Sequence, residues 1–443
     1  MKGKINLLED SEKSLLVKYM IPSVSGMLGL SICILFDTMF IGRRLGSLGL
    51  AALNIGVPIF SVYYAIALTF GVGGATALSI AVGRKKFHKV NDIFTSSLIG
   101  AIIVIVCINI LTYLFLDDIC YILGATPQTF DYVKQYLKII FDFNAVFILS
   151  NFLNVFVRTD KAPKLAMLSI ITTNIVNIVL DYVFIYPLNM GMKGAALATT
   201  IGQAFGLAVL LIHFIQRNNS MHLEFKAART STIFKVIANG MPSFVTELSA
   251  GFVIFVFNKV ILSIGGNISV SAYGIIANIA LIFLAVFNGI AQGMQPLISI
   301  NYGGGKEERV KKLFNISFKI ALGLGIFFFL IGFIMPKQLA LIFTDQRGEL
   351  IDITVKGIRI YFIAFILMGV NIVSISYLQA IEKARSSFIL STFRGLILTI
   401  VLVILLPKIF GLTGVWITAP LVEIIIMICF VILKLTENKK AKL

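Results

Sequence analysis

The 443-residue chain is 58% hydrophobic and only 13% charged, whereas soluble globular domains are roughly half apolar and about a quarter charged. Its formal net charge of +17 raises nucleic acid as a partner, but the basic residues are sorted by membrane side rather than gathered on one face, which excludes that class. Four scattered cysteines and three scattered histidines exclude a disulfide framework, a metal knuckle and a catalytic histidine cluster.

In chain order, apolar blocks run at 15–40, 52–83, 93–116, 139–157, 165–186, 194–215, 237–262, 272–298, 313–335, 358–380, 388–406 and 412–433. Most are about twenty residues long, the length a helix needs to cross a bilayer core. The first starts near Leu15, exceeds the apolar region of a signal peptide and has no small-residue cleavage site after it, so it reads as a retained span. Counting from a cytoplasmic N-terminus, 24 lysines and arginines fall in inner segments, ten in outer loops and four within spans. This positive-inside bias predicts an all-α integral membrane protein with twelve transmembrane helices and both termini cytoplasmic.

The two halves match at a constant offset of 220 residues. Pro22 of "IPSVSG" faces Pro242 of "MPSFVT", Gly46 faces Gly266, Gly73 faces Gly293 and Gly83 faces Gly303. Later, "YPLNMGMKGAALAT" faces "LPKIFGLTGVWITA". One offset across separate regions indicates duplication. Six helices, an even number, separate the copies, so both point the same way and form two pseudo-symmetric six-helix lobes, 1–220 and 221–443, around a central cleft. Parallel repeats of this kind are a transporter architecture.

Ionisable groups within spans are costly and normally face the protein interior. Lys18, Lys259, Lys319 and Arg394 lie near span ends, where their stems reach the headgroups. Asp142 sits near the outer start of the fourth span, in reach of water. Asp37 and Asp181 are deeper. At about 1.5 Å per residue, Asp37 on the first span, Asp181 on the fifth and Thr199 on the sixth reach similar heights in the outer half of the N-terminal lobe. Asn174, Asn177 and Asp181 share one helical face. Carboxylates, amide and hydroxyl together supply hard oxygen ligands for Na⁺, or the two acids share a proton. The competing structural reading has Asp37 capping a backbone break and the asparagines gluing helices. The repeat weighs against it: the second-half counterparts of Asp37, Asn177, Asp181 and Thr199 are Phe257, Ile397, Val401 and Ala419. Glu247 on the seventh span and Glu423 on the twelfth, whose repeat partner is Gln203, either line the cleft and attract a cationic substrate or bond within the bundle. Pro22 and Pro242 remove backbone bonds early in spans one and seven, and bending at Pro22 would move Asp37. The glycines of "GVGGATALSIAVG" and "GMQPLISINYGGG" suit close packing and helix ends better than a phosphate loop, since Lys306 is followed by Glu307.

Several stretches together resemble the multidrug and toxic compound extrusion (MATE) transporters: "LFDTMFIGRRLGSLGLAALNIGVPIF", "GVGGATALSIAVGRKK", "RTDKAPKLAM", "NIVNIVLDYVF", "GMKGAALATTIGQ", "AQGMQPLISINYGGG" and "FGLTGVWITAPLVE". The resemblance covers nearly the whole chain, on the bacterial branch with MepA-like and DinF-like exporters. It implies a multi-pass protein of the bacterial plasma membrane that exports amphipathic, often cationic, small molecules against inward H⁺ or Na⁺ by rocking its lobes, without a cofactor. It assigns Asp37, Asn177, Asp181 and Thr199 to a cation-coupling site, to which the face argument adds Asn174. It assigns Pro22 to a hinge and Asn154 to the substrate cavity, where Gln203, Glu247 and Glu423 are further candidates. A second-lobe cation site found in one branch needs an acid on the tenth span, and "YFIAFILMGVNIVSISYLQA" has none. A monomer is expected because the cleft lies within one chain. Two rivals remain. A lipid-linked oligosaccharide flippase would favour a strongly basic cleft. A membrane enzyme would need a nucleophile–base pair or a His/Asp cluster at membrane depth, which the sequence lacks.

Overall fold

A computed structural model describes residues 6–216, 219–343 and 348–440. Lys2, Lys4, Arg217, Arg347 and Lys442, all part of the charge count, lie outside these residues. Among the described residues the regular structure is entirely helical. Helices α1 (Glu12–Gly46) and α2 (Leu48–Gly83) meet at Gly46, with φ 65° and ψ −155°, a backbone region open to glycine and costly for other residues. The same break recurs at Gly266, φ 63° and ψ −167°, dividing the stretch Thr230–Gly303 into α7 (230–265) and α8 (267–303). The 220-residue offset thus repeats a backbone conformation as well as residue identities.

The N-terminal half continues with α3 (His88–Ile122), α4, α5 (Pro163–Ile185) and α6 (Gly191–Ile215). Helix α4 is broken, not straight as the single block 139–157 implied: Phe130–Asp142 and Asn144–Thr159 meet at 55°. The second half adds α9 (Glu307–Ile334), α10 (Glu349–Ala380), α11 (Ala384–Phe410) and α12 (Leu412–Lys440). In α10 a tight turn at Phe362–Ala364 stands 220 residues after the bend in α4. Among the described residues ten helices are long and apolar enough to cross a membrane, counting Thr230–Gly303 once; the bent α4 and the break at Gly266 bring the spans to twelve. Each expected block falls on one of these helices, overrunning it by at most one residue, while the helices extend up to nine residues past the blocks, as at Phe130 and Glu349.

Each half has its own apolar core. One gathers Ile66, Phe94, Phe152 and Leu210, the other Phe287, Phe328, Phe365 and Trp416. Small residues join the halves. A Cβ on Gly293 of α8 would lie 2.7 Å from the Met20 Cα, and one on Gly73 of α2 would lie 2.9 Å from the Gly240 nitrogen. Gly83 and Gly303 meet at the ends of α2 and α8. These glycines are close-packing positions, as their spacing suggested. Polar bonds close the seam at the basic end. Arg309 donates to Asn301 Oδ1, Glu12 Oε1 and the Asp10 carbonyl, and Lys306 donates to the Leu8 carbonyl. Arg84 pairs with Glu382 at 3.3 Å.

Candidate functional site

Helix α5 presents Asn174, Asn177 and Asp181 inward, and all three are buried. Asn177 sits at the centre of a small hydrogen-bonded group. Its Nδ2 donates to Asp181 Oδ2 at 3.2 Å and to Thr199 Oγ1 of α6 at 3.3 Å. Its Oδ1 accepts from the thiol of Cys33 on α1 at 2.7 Å. Asp37, one turn further along α1, lies beside the Asp181 carboxyl, close enough for a shared hydrogen bond. Tyr136 of α4 closes the group, its hydroxyl within reach of Thr199 and within electrostatic reach of both acids. One oxygen on each acid, Asp37 Oδ1 and Asp181 Oδ1, is buried and accepts no hydrogen bond.

Two adjacent carboxyls carrying unmet acceptors, with an amide and a hydroxyl at hand, form a hard-oxygen donor set. Such a set fits a proton shared between the acids or a Na⁺ ion bridging them. No group of three or more His, Cys, Asp or Glu among the described residues is placed to hold a metal ion, so any Na⁺ would lean on Asn177 and Thr199 as well as on the acids. Asp37, Asn177, Asp181 and Thr199 are therefore brought together, as expected. Asn174 shares their helix but turns into a neighbouring cavity, where its Nδ2 has no partner.

That cavity lies between α1, α2, α4, α5 and α6, and Gln292 of α8 completes its wall. Asn154, Gln203 and Asn174 line it, and Asn154 is steadied by donating to the Ala166 carbonyl at 2.8 Å. Arg158 reaches it from the end of α4, 4% exposed, with Nη1 donating to Gln292 Oε1 at 2.6 Å. Glu247 is half-buried on α7. Pro22 is buried within a continuous α1 whose only non-helical residue is Gly46.

Other positions answer questions left open by the sequence. Asp142 is exposed, as are Lys18, Lys259 and Lys319. Arg394 departs from its expected place among the headgroups. It lies in a π-helical turn, Phe393–Ile397, and pairs with Glu423 through Nε and Nη2 at 2.7–3.1 Å. Glu423 also accepts from Asn371 Nδ2 at 2.7 Å. A nearby acid on the following helix outweighs the pull of the interface, and Glu423 is engaged within the bundle rather than lining the N-terminal cavity.

Three residues of these surroundings escaped the sequence. Cys33 was one lone cysteine in an apolar span, and Tyr136 one aromatic among many. Arg158 was counted with the loop "RTDKAPK" because it follows the apolar block; its position one turn after Asn154, on the same helical face, was the usable signal.

The family model described as MatE matches residues 22–183 and 242–405, one segment in each half. The multidrug export protein MepA of Staphylococcus saprophyticus is 26% identical to this chain over 91% of its length and 90% of the relative. MepA of Staphylococcus aureus (strain NCTC 8325 / PS 47) is 28% identical, with the same coverage. Among solved structures, a multidrug resistance MATE family transporter of the MOP superfamily in an outward-facing conformation superimposes with a TM-score of 0.92, at 22% identity and over all of both chains. A MATE structure in the straight conformation gives 0.92 at 23% identity, covering 99% of this chain and 98% of the other. With a family match in each half and twelve helices in two repeated lobes, the chain belongs to the MatE family of membrane transporters.

Proposed function

We propose that this protein is a secondary active exporter that moves amphipathic, often cationic, compounds out of the cell against an inward flow of H⁺ or Na⁺. The observation that carries this reading is the pair of a half-buried Asp37 and a buried Asp181 with Asn177 and Thr199, present in one lobe only. A carboxyl pair takes up a cation readily where water reaches it and releases it where the pair is rearranged. Binding in one conformation more strongly than in the other is what couples an ion to a conformational change. The multidrug export proteins that resemble the chain support drug-like substrates.

In this reading the lobes are 1–220 and 221–443, the basic end faces the cytoplasm of a bacterial cell, and a monomer suffices. The seam at the basic end is closed by glycine contacts and by Arg309, so the cavity would open to the outer side. Pro22 supplies the flexible point of α1 through which cation binding at Asp37 acts on the lobe contact. No cofactor is required. The cavity wall contains one arginine, too little for the strongly basic cleft that a flippase of lipid-linked oligosaccharides would need. Among the described residues the cavity is lined by no His, Cys, Asp or Glu that would serve as a base for chemistry on a substrate.

Reconstituted vesicles test the reading: a fluorescent amphipathic dye should leave against an imposed Na⁺ or pH gradient. Asp37→Asn and Asp181→Asn should each abolish that efflux at normal expression. Unimpaired efflux in both variants would overturn the coupling site, and separate Na⁺ and pH gradients identify the ion.

A further inference from the structure

Among the described residues, Arg158 brings the one charged side chain to the wall of the N-terminal cavity, and no aspartate or glutamate lines it. Its burial is anomalous beside the other part-buried arginines. Arg394 has Glu423, and Arg309 has Glu12. Arg158 has only the neutral amide of Gln292, and its Nε has no partner. A guanidinium withdrawn from water without a counter-charge is unfavourable unless something else supplies one. Asn174 adds a second unmet donor, Nδ2, from the neighbouring helix α5. The cavity thus presents buried N–H groups from two helices and no acid to answer them.

Across the cleft the polarity reverses. Tyr64 on α2 lies within electrostatic reach of Arg158 and of Glu247 on α7, and no carboxylate–cation bond joins those two residues. A fixed cation and an acid therefore flank one tyrosine, each without an ion-pair partner among the described residues.

We propose that Arg158 and Asn174 form an anion-accepting subsite of the substrate cavity, so that the preferred cargo is an amphipathic acid or zwitterion. A carboxylate accepts from the guanidinium in forked geometry, and Asn174 Nδ2 donates to the same group. An amine on the cargo turns toward Glu247. The substrate carboxylate competes with Gln292 for Arg158, which ties cargo binding to the contact between lobes. This inference rests on the export reading and departs from it on cargo charge, from cations to amphipathic acids and zwitterions.

The test uses two dyes that share one ring system, rhodamine 110 with a free carboxyl and rhodamine 123, its methyl ester. Binding to the detergent-solubilised full chain is followed by fluorescence polarisation, and efflux by vesicle assay. The acid should bind about tenfold more tightly than the ester, the worth of one charge-assisted hydrogen bond. Arg158→Gln should erase that preference, and Arg158→Lys should retain part of it. Ester binding equal to or tighter than acid binding in the unaltered protein overturns the subsite, and that comparison needs no variant to fold. An Arg158→Gln protein that weakens both dyes equally also overturns it, leaving Arg158 as a lobe fastener. Acid-selective binding without efflux of either dye would sink the export reading and keep the subsite. Efflux without selectivity would do the reverse.

Discussion

The two lobes hold the same pocket in two states. In the N-terminal lobe, Asn151, Asn154, Asn174 and Gln203 line a cavity. Their counterparts 220 residues on are Asn371, Ser374, Arg394 and Glu423, and there three of the four side chains bond to one another. Arg394 and Asn371 converge on Glu423, filling with an ion pair the place the first lobe leaves to a cavity. A few residues beyond, the pattern inverts. Asp37, Asn177, Asp181 and Thr199 become Phe257, Ile397, Val401 and Ala419, and a polar cluster gives way to apolar side chains. Duplication copied the helices with their breaks at Gly46 and Gly266. Side chains then divided the labour, one lobe keeping the cavity and the carboxyl pair and the other an internal ion pair.

The sharpest test of that division is to remove the acids. Asp37→Asn or Asp181→Asn should bring gradient-driven efflux to background, whereas Val401→Ala at the matching place in the second lobe should leave it within about twofold, since an exposed apolar side chain on a membrane span has little packing to lose. Equal damage from both would mean that the polar cluster serves packing alone.

Next in size is the ion pair. Glu423→Gln leaves Arg394 buried without its counter-charge and should cost about 3–5 kcal/mol in a denaturation measurement. Replacing both by methionine should recover most of that loss, because the pair disappears together with its desolvation penalty. Writing the first lobe's residues into the second, Arg394→Asn with Glu423→Gln, should create a cavity there; a dye-binding stoichiometry unchanged from the parent would show that the ion pair is not what keeps the second pocket shut.

A methyl group at the lobe seam has a smaller effect. Gly293→Ala forces α8 away from the Met20 backbone and should destabilise the closed seam by about 1–3 kcal/mol, the usual scale of overpacking, visible as faster cross-linking of cysteines placed across the cleft. An unchanged rate would show that the seam is looser than its glycine contacts indicate. Smallest is Cys33→Ala. It removes one neutral donor to Asn177, about 1 kcal/mol, and should shift the apparent cation affinity by roughly fivefold with little change in maximal rate. A larger loss of rate with unchanged affinity would move Cys33 out of the cation group.

Residues legible in the sequence were those whose chemistry is costly where they stand. Asp37 and Asp181 are conspicuous in apolar spans, and the repeat showed that the fold does without them. Gly46 and Gly266 matched in sequence and proved to share one backbone conformation. Arg158 and Arg394 misled for a common reason. Their distance from a span end suggested water or headgroups, but burial is decided by partners on other helices, Gln292 in one case and Glu423 in the other. The bend in α4 left no proline to mark it. Cys33 and Tyr136 carry no signal of their own; only the meeting of α1, α4 and α5 gives them a role.

The segment between the lobes has a mechanical consequence. The backbone nitrogens of His222, Glu224 and Arg229 donate to Asn91, Thr95 and Ser96 on α3, and Thr232 Oγ1 donates to Asp92 at 3.1 Å. Ser220 is held in turn by Asp160, which also bonds His213. From Ser220 to Thr232 the connection is therefore bonded to Asp160 and along α3 like a splint, and the first turn of α7 travels with the N-terminal lobe although it opens the C-terminal one. Relative motion of the lobes must be absorbed inside α7, beyond Thr232. Ten residues on stands Pro242, where the helix has already given up a backbone bond, a built-in crease between two stiff panels.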